Sequence, residues 1–344
     1  MSAYSNRKVV LNKRPQGEIQ DGDLVLKEEP VRDLKDGEVL IKTLWLSLDP
    51  YMRPRMNDSK GYMDPIEIGA PIVGESVGRV VESKSDNYQV GDVVTVYSGW
   101  QEYCIIPGNA EMVYKIKDQG VPLQTYLGVA GMPGRTGYCG LMYVGKPKSG
   151  ETVVVAAASG PVGTVVGQTA KQEGCRVVGI AGGAEKCRHA VETLGFDACI
   201  DHRASDFPQQ LAQHCPGGID VYFENVGGKV FDAVLPLLNT SARVPVCGVV
   251  AQYNSTDLPD GPDRLPLLLD TLLKKRMRMQ GFIIFNDYGH RYDEFAREMG
   301  AWYAEGKIKY REQIVQGLEN APEAFIGLLE GKNLGKLVVQ VGEA

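Results

Sequence analysis

The chain has 344 residues, 43% of them hydrophobic and 23% charged, with a formal net charge of −6. That length supports two domains with real cores, and the balance of apolar and charged residues excludes a disordered or fibrous chain. The acidic charge, with no concentrated basic stripe, argues against a nucleic-acid partner, and no apolar run approaches the ~20 residues of a membrane span.

From Met1 to Pro15 there is no apolar centre of the kind a secretory signal needs. Residues 1–125 read as β-rich. Val39–Leu46, Gly78–Glu82 and Asp92–Tyr97 are short apolar runs bounded by Gly, Asp or Pro, and Asp21-Gly22, Asp36-Gly37 and Gly91-Asp92 supply turns. A folded-over sheet or partial barrel is expected there.

After about residue 125 strand-like and helix-like segments alternate, as a parallel sheet with crossover helices requires. Strands are expected at 152–157, 176–181, 198–201, 219–225 and 243–248, with a sixth near 279–285. Helices are expected near 162–173, 185–194, 205–214, 228–237, 263–275 and 290–305, the first stopped by Gly174. Leu258–Pro266 reads as a loop. Lys336–Val341 reads as a strand that returns to the first domain. The expected fold class is therefore α/β. A doubly wound parallel sheet at 126–305 is inserted in a discontinuous β-rich domain of residues 1–125 and 306–344.

The most specific stretch is Thr152-Val-Val-Val-Ala-Ala-Ala-Ser-Gly-Pro-Val-Gly163, where a β-branched run ends in small residues and turns into a helix start. Such a turn brings a phosphate onto helix N–H groups. Gly160 and Gly163 hold the second and third positions of a G-x-G-x-x-G pattern, with Pro161 and Val162 between them, while Ala158 replaces the first glycine. The next strand ends Ile180-Ala-Gly-Gly183 without the carboxylate that holds unphosphorylated ribose, and Lys186, His202 and Arg203 lie nearby in sequence. This favours NADPH over NADH. Taken alone, Lys186 also reads as a solvated helix charge and His202 as a surface loop residue.

The chain has seven cysteines, none in C-x-x-C spacing, and four histidines, all after residue 185. No disulfide framework and no catalytic metal are expected, and a reducing cytosol is the simplest home. A substrate carbonyl must then be polarised by hydrogen-bond donors. Tyr253, after a buried strand and a Gly, reads as such a donor or as a loop tyrosine. Tyr51 reads as substrate-facing or as an aromatic packed under a proline turn, and Arg53 as a substrate contact or a partner of Asp49. Asn225, before Gly227-Gly228, reads as a helix N-cap partner or a nicotinamide ligand. Asn333 reads on composition as a left-handed turn residue.

Six motifs in order resemble the zinc-independent branch of the medium-chain dehydrogenases/reductases, within it the prostaglandin reductase/leukotriene dehydrogenase group. They are Leu48-Asp-Pro-Tyr-Met-Arg53, Gly131-Met-Pro-Gly-Arg-Thr-Gly-Tyr138, Ala156–Gly163, Tyr222-Phe-Glu-Asn-Val-Gly-Gly228, Cys247-Gly-Val-Val-Ala-Gln-Tyr-Asn254 and Gly331-Lys-Asn-Leu-Gly-Lys336. The resemblance implies a GroES-like domain plus a Rossmann domain, and NADPH-dependent reduction of the carbon–carbon double bond of α,β-unsaturated ketones and aldehydes. Curcumin is among the apolar substrates it suggests. It implies that Gly160 to Gly163 cradle the pyrophosphate, that Lys186 meets the 2′-phosphate, and that Asn225 and Cys247–Tyr253, including Gly248, line the cofactor. Phe282 and Ile284 fall in the segment it places at the nicotinamide, and Asn333 adds a contact. The chain departs from the group at His202, where the group carries Tyr. Relatives pair the sheet edge near Met277–Phe285, so a homodimer is expected. The alternatives are an NADPH quinone oxidoreductase, an alcohol dehydrogenase of the same superfamily, and a non-catalytic NADPH-binding protein.

Overall fold

Alternation along the β-branched runs decides where each strand sits. The computed structural model describes residues 4–116, 120–258 and 261–343. The chain opens with β1 (Ser5–Leu11) antiparallel to β2 (Leu24–Pro30). β3 (Glu38–Ser47), β4 (Ser76–Ser83), β5 (Val93–Val96), β6 (Tyr103–Pro107) and β7 (Tyr114–Lys115) follow. β3 pairs antiparallel with both β4 and β6, and its register with β4 shifts between Leu40 and Ile41 and between Thr43 and Trp45. Such irregularities bend and twist a strand.

The texture changes at α1 (Met132–Cys139), which runs into a π-type turn at Gly140–Gly145. From there strands and helices alternate: β8 (Thr152–Ala156), α2 (Pro161–Gln172), β9 (Arg176–Ala181), α3 (Ala184–Glu192), β10 (Ala198–Asp201) and α4 (Phe207–His214). Next come β11 (Ile219–Phe223), α5 (Gly228–Val234), β12 (Leu238–Val246), α6 (Leu265–Lys275), β13 (Arg278–Gly281), α7 (Ile284–Tyr288) and α8 (Tyr292–Ala304). The chain then returns through β14 (Glu312–Gln316), α9 (Ala321–Leu329) and β15 (Lys336–Gln340) to the first sheet. That sheet runs β14-β15-β3-β4-β5-β7 among the described residues, with β6 also on β3. Two units result, Met1–Leu127 with Glu312–Asn333 and Leu337–Ala344, and Gly128–Arg311 with Leu334–Lys336.

In the second unit the strand order is β10-β9-β8-β11-β12-β13, every pair parallel. This is the doubly wound dinucleotide order, reversing between β8 and β11. Side chains divide by parity, as a pleated strand requires. Val154, Ala156, Val178, Ile180, Ile200 and Tyr222 pack with Phe207, Leu211, Val230 and Val234 of α4 and α5. Val153, Val155, Val177, Val221 and Phe223 pack with Val166, Ala170 and Ala190 of α2 and α3. Pro161 opens α2 in the first turn, where its missing N–H costs nothing, and Gly174 closes it at φ +76°.

Four expectations change. The sixth strand stops at Gly281, because Phe282 turns into the core and the Asp287 carboxylate accepts the Ile283 N–H at 2.7 Å to start α7. β12 begins at Leu238, since Ile219 pairs with it before the register shifts by Val221. Asn225 lies beyond β11, which ends at Phe223. Of the expected loop Leu258–Pro266, residues 259 and 260 lie outside the described residues, and Leu265 and Pro266 already belong to α6.

Gly163 is where α2 meets the end of β8. A Cβ there would lie 2.4 Å from the Ala157 carbonyl oxygen and 2.9 Å from the Ala158 Cα, backbone that cannot swing away. Gly163→Ala should therefore lower stability by about 1–3 kcal/mol, read as a lower urea midpoint. An unchanged midpoint would show that the turn can give way.

Candidate active site

The site is built at the carboxyl ends of β8 to β12, within the second unit. After β8 the chain turns at Ala157, whose φ is +53°. The Gly160 N–H closes the turn onto the Ala157 carbonyl at 2.9 Å, and the Ala158 N–H continues the β9 pairing onto Ile180 at 3.0 Å. Ala158, at the first-glycine position, is fully buried, and it fits because its neighbour is Gly179, where a Cβ would lie 2.8 Å from the Ala158 Cβ. Pro161 and Val162 are half-buried at the start of α2, and no side chain caps that helix start. Free N–H groups there suit an anion.

Beside this turn, the tips of β9 and β10 gather positive charge. A Cβ at Gly182 would lie 3.0 Å from His202 Nε2 and 3.1 Å from Arg203 Nε, so both side chains reach over the bare glycine. Lys186, in the first turn of α3, is half-buried, and burial followed by Arg203 lowers its pKa. Burial, then Arg203, likewise lowers His202, with Asp201 opposing. Lys186 and Arg203, with the His202 imidazole beside them as a group that an anion would help protonate, form a site for a multiply charged anion. The carboxylate present, Asp201, has its pKa lowered against the cost of burial by the N–H groups of Arg203 and Gly183 and by the neighbouring cations.

The β11 and β12 ends are neutral donors and acceptors. Asn225 Nδ2 donates to the Ala156 carbonyl at 2.8 Å, bridging the strand ends where the sheet order reverses. It is not an N-cap: Gly227 occupies that position before α5, without a side-chain cap. The Val250 and Ala251 N–H groups donate to the Asn225 and Val226 carbonyls, so the two loops are stitched together. Tyr253 folds back so that its hydroxyl lies 3.1 Å from where a Gly248 Cβ would sit. Burial pushes the Cys247 thiol up to about 12, leaving it a neutral wall.

Glu224 organises both loops and was not singled out by sequence. It is 2% exposed. One carboxylate oxygen accepts the Val226 N–H at 2.6 Å, the Gly227 N–H at 2.8 Å and the Tyr222 hydroxyl at 3.0 Å, while its other oxygen is buried with no partner among the described residues. Its carbonyl accepts the Cys247 and Gly248 N–H groups. The available signal was a carboxylate closing an apolar run just before two glycines.

Several residues sit elsewhere. Phe282 is core, edge-on to Phe223 and Tyr288, and Ile284 is buried against Val165 and Phe295. Their side chains have a packing role in the core. Tyr51 and Asn333 belong to the first unit. Burial, followed by Asp49 and Glu75, raises the Tyr51 phenol well above its ordinary range, and Tyr97 is its phenolic neighbour. Arg53 is buried and donates to Asn57 Oδ1 at 2.7 Å and the Gly17 carbonyl at 2.5 Å. Asn333 follows α9, and the left-handed conformations of its turn belong to Gly331 and Gly335. The Thr136 hydroxyl donates to the Met132 carbonyl at 2.8 Å inside α1.

Burial raises the Glu224 pKa, against the lowering by its hydrogen bonds. A folded pKa above the unfolded one means the folded chain binds the proton better. The stability this gives is present at low pH and lost as pH rises through the folded pKa. Glu224→Gln should flatten that loss above the ordinary carboxylate range while keeping an acceptor for the loops. Glu224→Ala, which strands the Val226 and Gly227 N–H groups, should cost about 1–3 kcal/mol. Thermal melts across pH check both, and equal behaviour of the two variants would refute the role.

Two family models match the chain, "N-terminal domain of oxidoreductase" over residues 7–116 and "Zinc-binding dehydrogenase" over residues 161–303. Among the described residues no three His, Cys, Asp or Glu side chains group to hold a metal ion. An NADPH-dependent curcumin reductase of Escherichia coli is 61% identical over 98% of this chain and 97% of its own length. A 2-alkenal reductase (NADP(+)-dependent) of Nicotiana tabacum is 42% identical over 98% of both. The crystal structure of CurA in complex with NADPH from Vibrio vulnificus is 55% identical, covers 98% of this chain and 100% of its own, and superposes with a TM-score of 0.95. With a prostaglandin reductase of Mus musculus also matching at 38% identity over 96% of this chain, the chain belongs to the zinc-independent, prostaglandin reductase branch of the medium-chain dehydrogenase/reductase family, with its GroES-like and Rossmann domains.

Proposed function

We propose that this chain uses NADPH to reduce the carbon–carbon double bond of α,β-unsaturated ketones and aldehydes, with Tyr253 as donor to the carbonyl oxygen. The observation that carries the reading is the Tyr253 phenol folded against Gly248 at the carboxyl end of β12, the end at which doubly wound sheets hold ligands. The names of its relatives support the class, since curcumin and 2-alkenals both carry a double bond conjugated to a carbonyl. Curcumin itself is the first substrate to try.

The residues present fit the coenzyme. Gly160 to Gly163 offer a bare helix start to a pyrophosphate, and any Cβ at Gly163 would strike the turn. Lys186, His202 and Arg203 supply charge for the ribose phosphate. Asn225, with its amide N–H committed to Ala156, keeps its carbonyl oxygen for a carboxamide, beside Cys247 and Gly248. When bound, NADPH would supply a hydride to the β-carbon, and solvent or a tyrosine would supply the proton that completes the α-carbon. Tyr253 then donates a hydrogen bond to the oxygen on which negative charge gathers. Tyr51, kept protonated by burial beside Asp49 and Glu75, is the second candidate phenol. Tyr253→Phe should lower kcat by about 10²-fold while leaving NADPH affinity within about two-fold. Steady-state kinetics on an enone with coenzyme binding by fluorescence measures both. An unchanged kcat/KM removes Tyr253 from the reaction.

The assembly reading is a cytosolic homodimer joined at β13. All four residues of this edge strand are exposed, and α6 before it exposes Leu265, Leu267, Leu269 and Leu273. An open edge beside exposed leucines calls for cover. The seven cysteines, free thiols throughout, suit a reducing compartment. Light scattering should give twice the chain mass, and Met279→Pro, which removes an N–H on the side of β13 facing away from β12, should shift it toward monomer. A stable monomer of the unmutated chain overturns the assembly.

A further inference from the structure

We propose that Cys187 and Cys199 form a peroxide-sensitive dithiol whose closure to a disulfide weakens NADPH binding. The effect on NADPH rests on the reading of Lys186, His202 and Arg203 as the ribose-phosphate site.

Twelve positions separate the two cysteines, a spacing with no motif meaning. The fold joins them, because α3 packs along β10 and Cys199 lies in the same layer as Ala190 of α3, where each thiol perturbs the other. Both are half-buried, as is Cys247, by itself at the β12 end, whereas Cys104, Cys139, Cys175 and Cys215 are buried. The pair is also unequal. Cys187 sits in the first turn of the nine-residue α3, at the positive end of its dipole. Its sulfur is stabilised as thiolate mainly by the hydrogen bond from Cys199, against burial and the Asp201 charge. Cys199 is pushed the other way, first by that same contact and then by burial, with its Sγ seated over Gly179. A half-buried, stabilised thiolate beside a protonated second thiol is the arrangement of an attacking and a resolving cysteine.

The chemistry balances with a hydroperoxide as oxidant. The Cys187 thiolate attacks one peroxide oxygen and the O–O bond breaks, giving a sulfenic acid and, with hydrogen peroxide, one water. The Cys199 thiol then attacks the Cys187 sulfur, the S–O bond breaks, and a second water leaves. Two thiols lose two electrons and two protons, and the peroxide gains them.

The consequence follows from what each cysteine adjoins. Lys186 immediately precedes Cys187, and His202 and Arg203 lie just beyond Cys199 on the same strand end. A disulfide holds its sulfurs at about 2.05 Å, far shorter than any thiol hydrogen bond. Closure therefore draws the first turn of α3 toward β10 and narrows the space between Lys186 and the side chains over Gly182.

The test treats the purified full chain with hydrogen peroxide, maps disulfides by peptide mass, and titrates NADPH by fluorescence before and after. The expected result is one Cys187–Cys199 cross-link, with a loss of two hydrogen masses, and an NADPH Kd raised about ten-fold and restored by dithiothreitol. Cys199→Ser should instead leave a dimedone-reactive sulfenic acid at Cys187, and Cys187→Ser should leave the NADPH Kd insensitive to peroxide. No cross-link between the two, or a cross-link with unchanged Kd, overturns the proposal. Lys186→Ala separates the underlying reading: if it leaves the preference for NADPH over NADH intact, the phosphate assignment fails, whereas the cross-link is read by mass alone.

Discussion

The rest of the second unit depends on one crowded turn, Ala157 to Gly163, where three backbone segments meet with almost no side chains between them. Ala157 adopts a left-handed conformation, which costs an L-residue roughly 1–2 kcal/mol. The surroundings hold it there: the Ala158 and Gly160 N–H groups fix both sides of the turn, and Gly163 lets α2 press directly on the Ala157 carbonyl. The first-glycine position tolerates alanine because the bulk was removed on the opposite strand, at Gly179. The glycine pattern is therefore distributed across β8 and β9 rather than confined to one loop. The same economy recurs at Gly140, where a Cβ would meet the Phe282 ring at 2.4 Å. That contact places Phe282 in the core and ends the parallel strand early.

Local rules made most of this framework legible. Fully buried β-branched runs bounded by glycine identified the central strands to within a residue or two, because a parallel strand buried on both faces has no polar alternation to confuse. Gly174 stopped its helix, and the missing carboxylate at Gly182 and Gly183 marked the tip where cations gather. Legibility failed where a distant partner decides the outcome. β12 begins five residues early because β11 offers a partner to Leu238, and α7 forms because Asp287 reaches back to Ile283.

The candidate site was legible in the same proportion. Residues whose task depends on sequence-local geometry, Gly160, Gly163 and Asn225, stand where their spacing put them. Glu224 escaped because a buried carboxylate draws meaning only from the three donors that converge on it, two of them from the following loop. Phe282 and Ile284 pose the converse case. An apolar segment at a strand end looks like a pocket wall until the ring contacts of Phe223, Tyr288 and Phe295 claim it. The cysteines illustrate the limit most plainly, since their proximity is a property of α3 lying on β10 and of nothing in their spacing.

The charge distribution along the sheet's carboxyl edge gives direction to any ligand lying across it. Lys186, His202 and Arg203 cluster at the β9 and β10 tips, where Asp201 and Glu185 offset part of the repulsion and a further anion would offset more. At the β11 and β12 end the groups are neutral: an amide bridging two strands, a thiol held protonated by burial, and a phenol over Gly248. Glu224 is the carboxylate there, and its burial beneath the loops keeps its charge off the edge while its oxygen fixes their backbone. A ligand with phosphate at one end and a neutral carboxamide at the other can satisfy this edge in one orientation only, because reversal would bring the phosphate to the end without cations. The same asymmetry would serve the proposed reaction with Tyr253 as donor. A phenol in a neutral setting strengthens its hydrogen bond most where charge newly appears, so stabilisation is concentrated on the transition state rather than spread over the bound substrate.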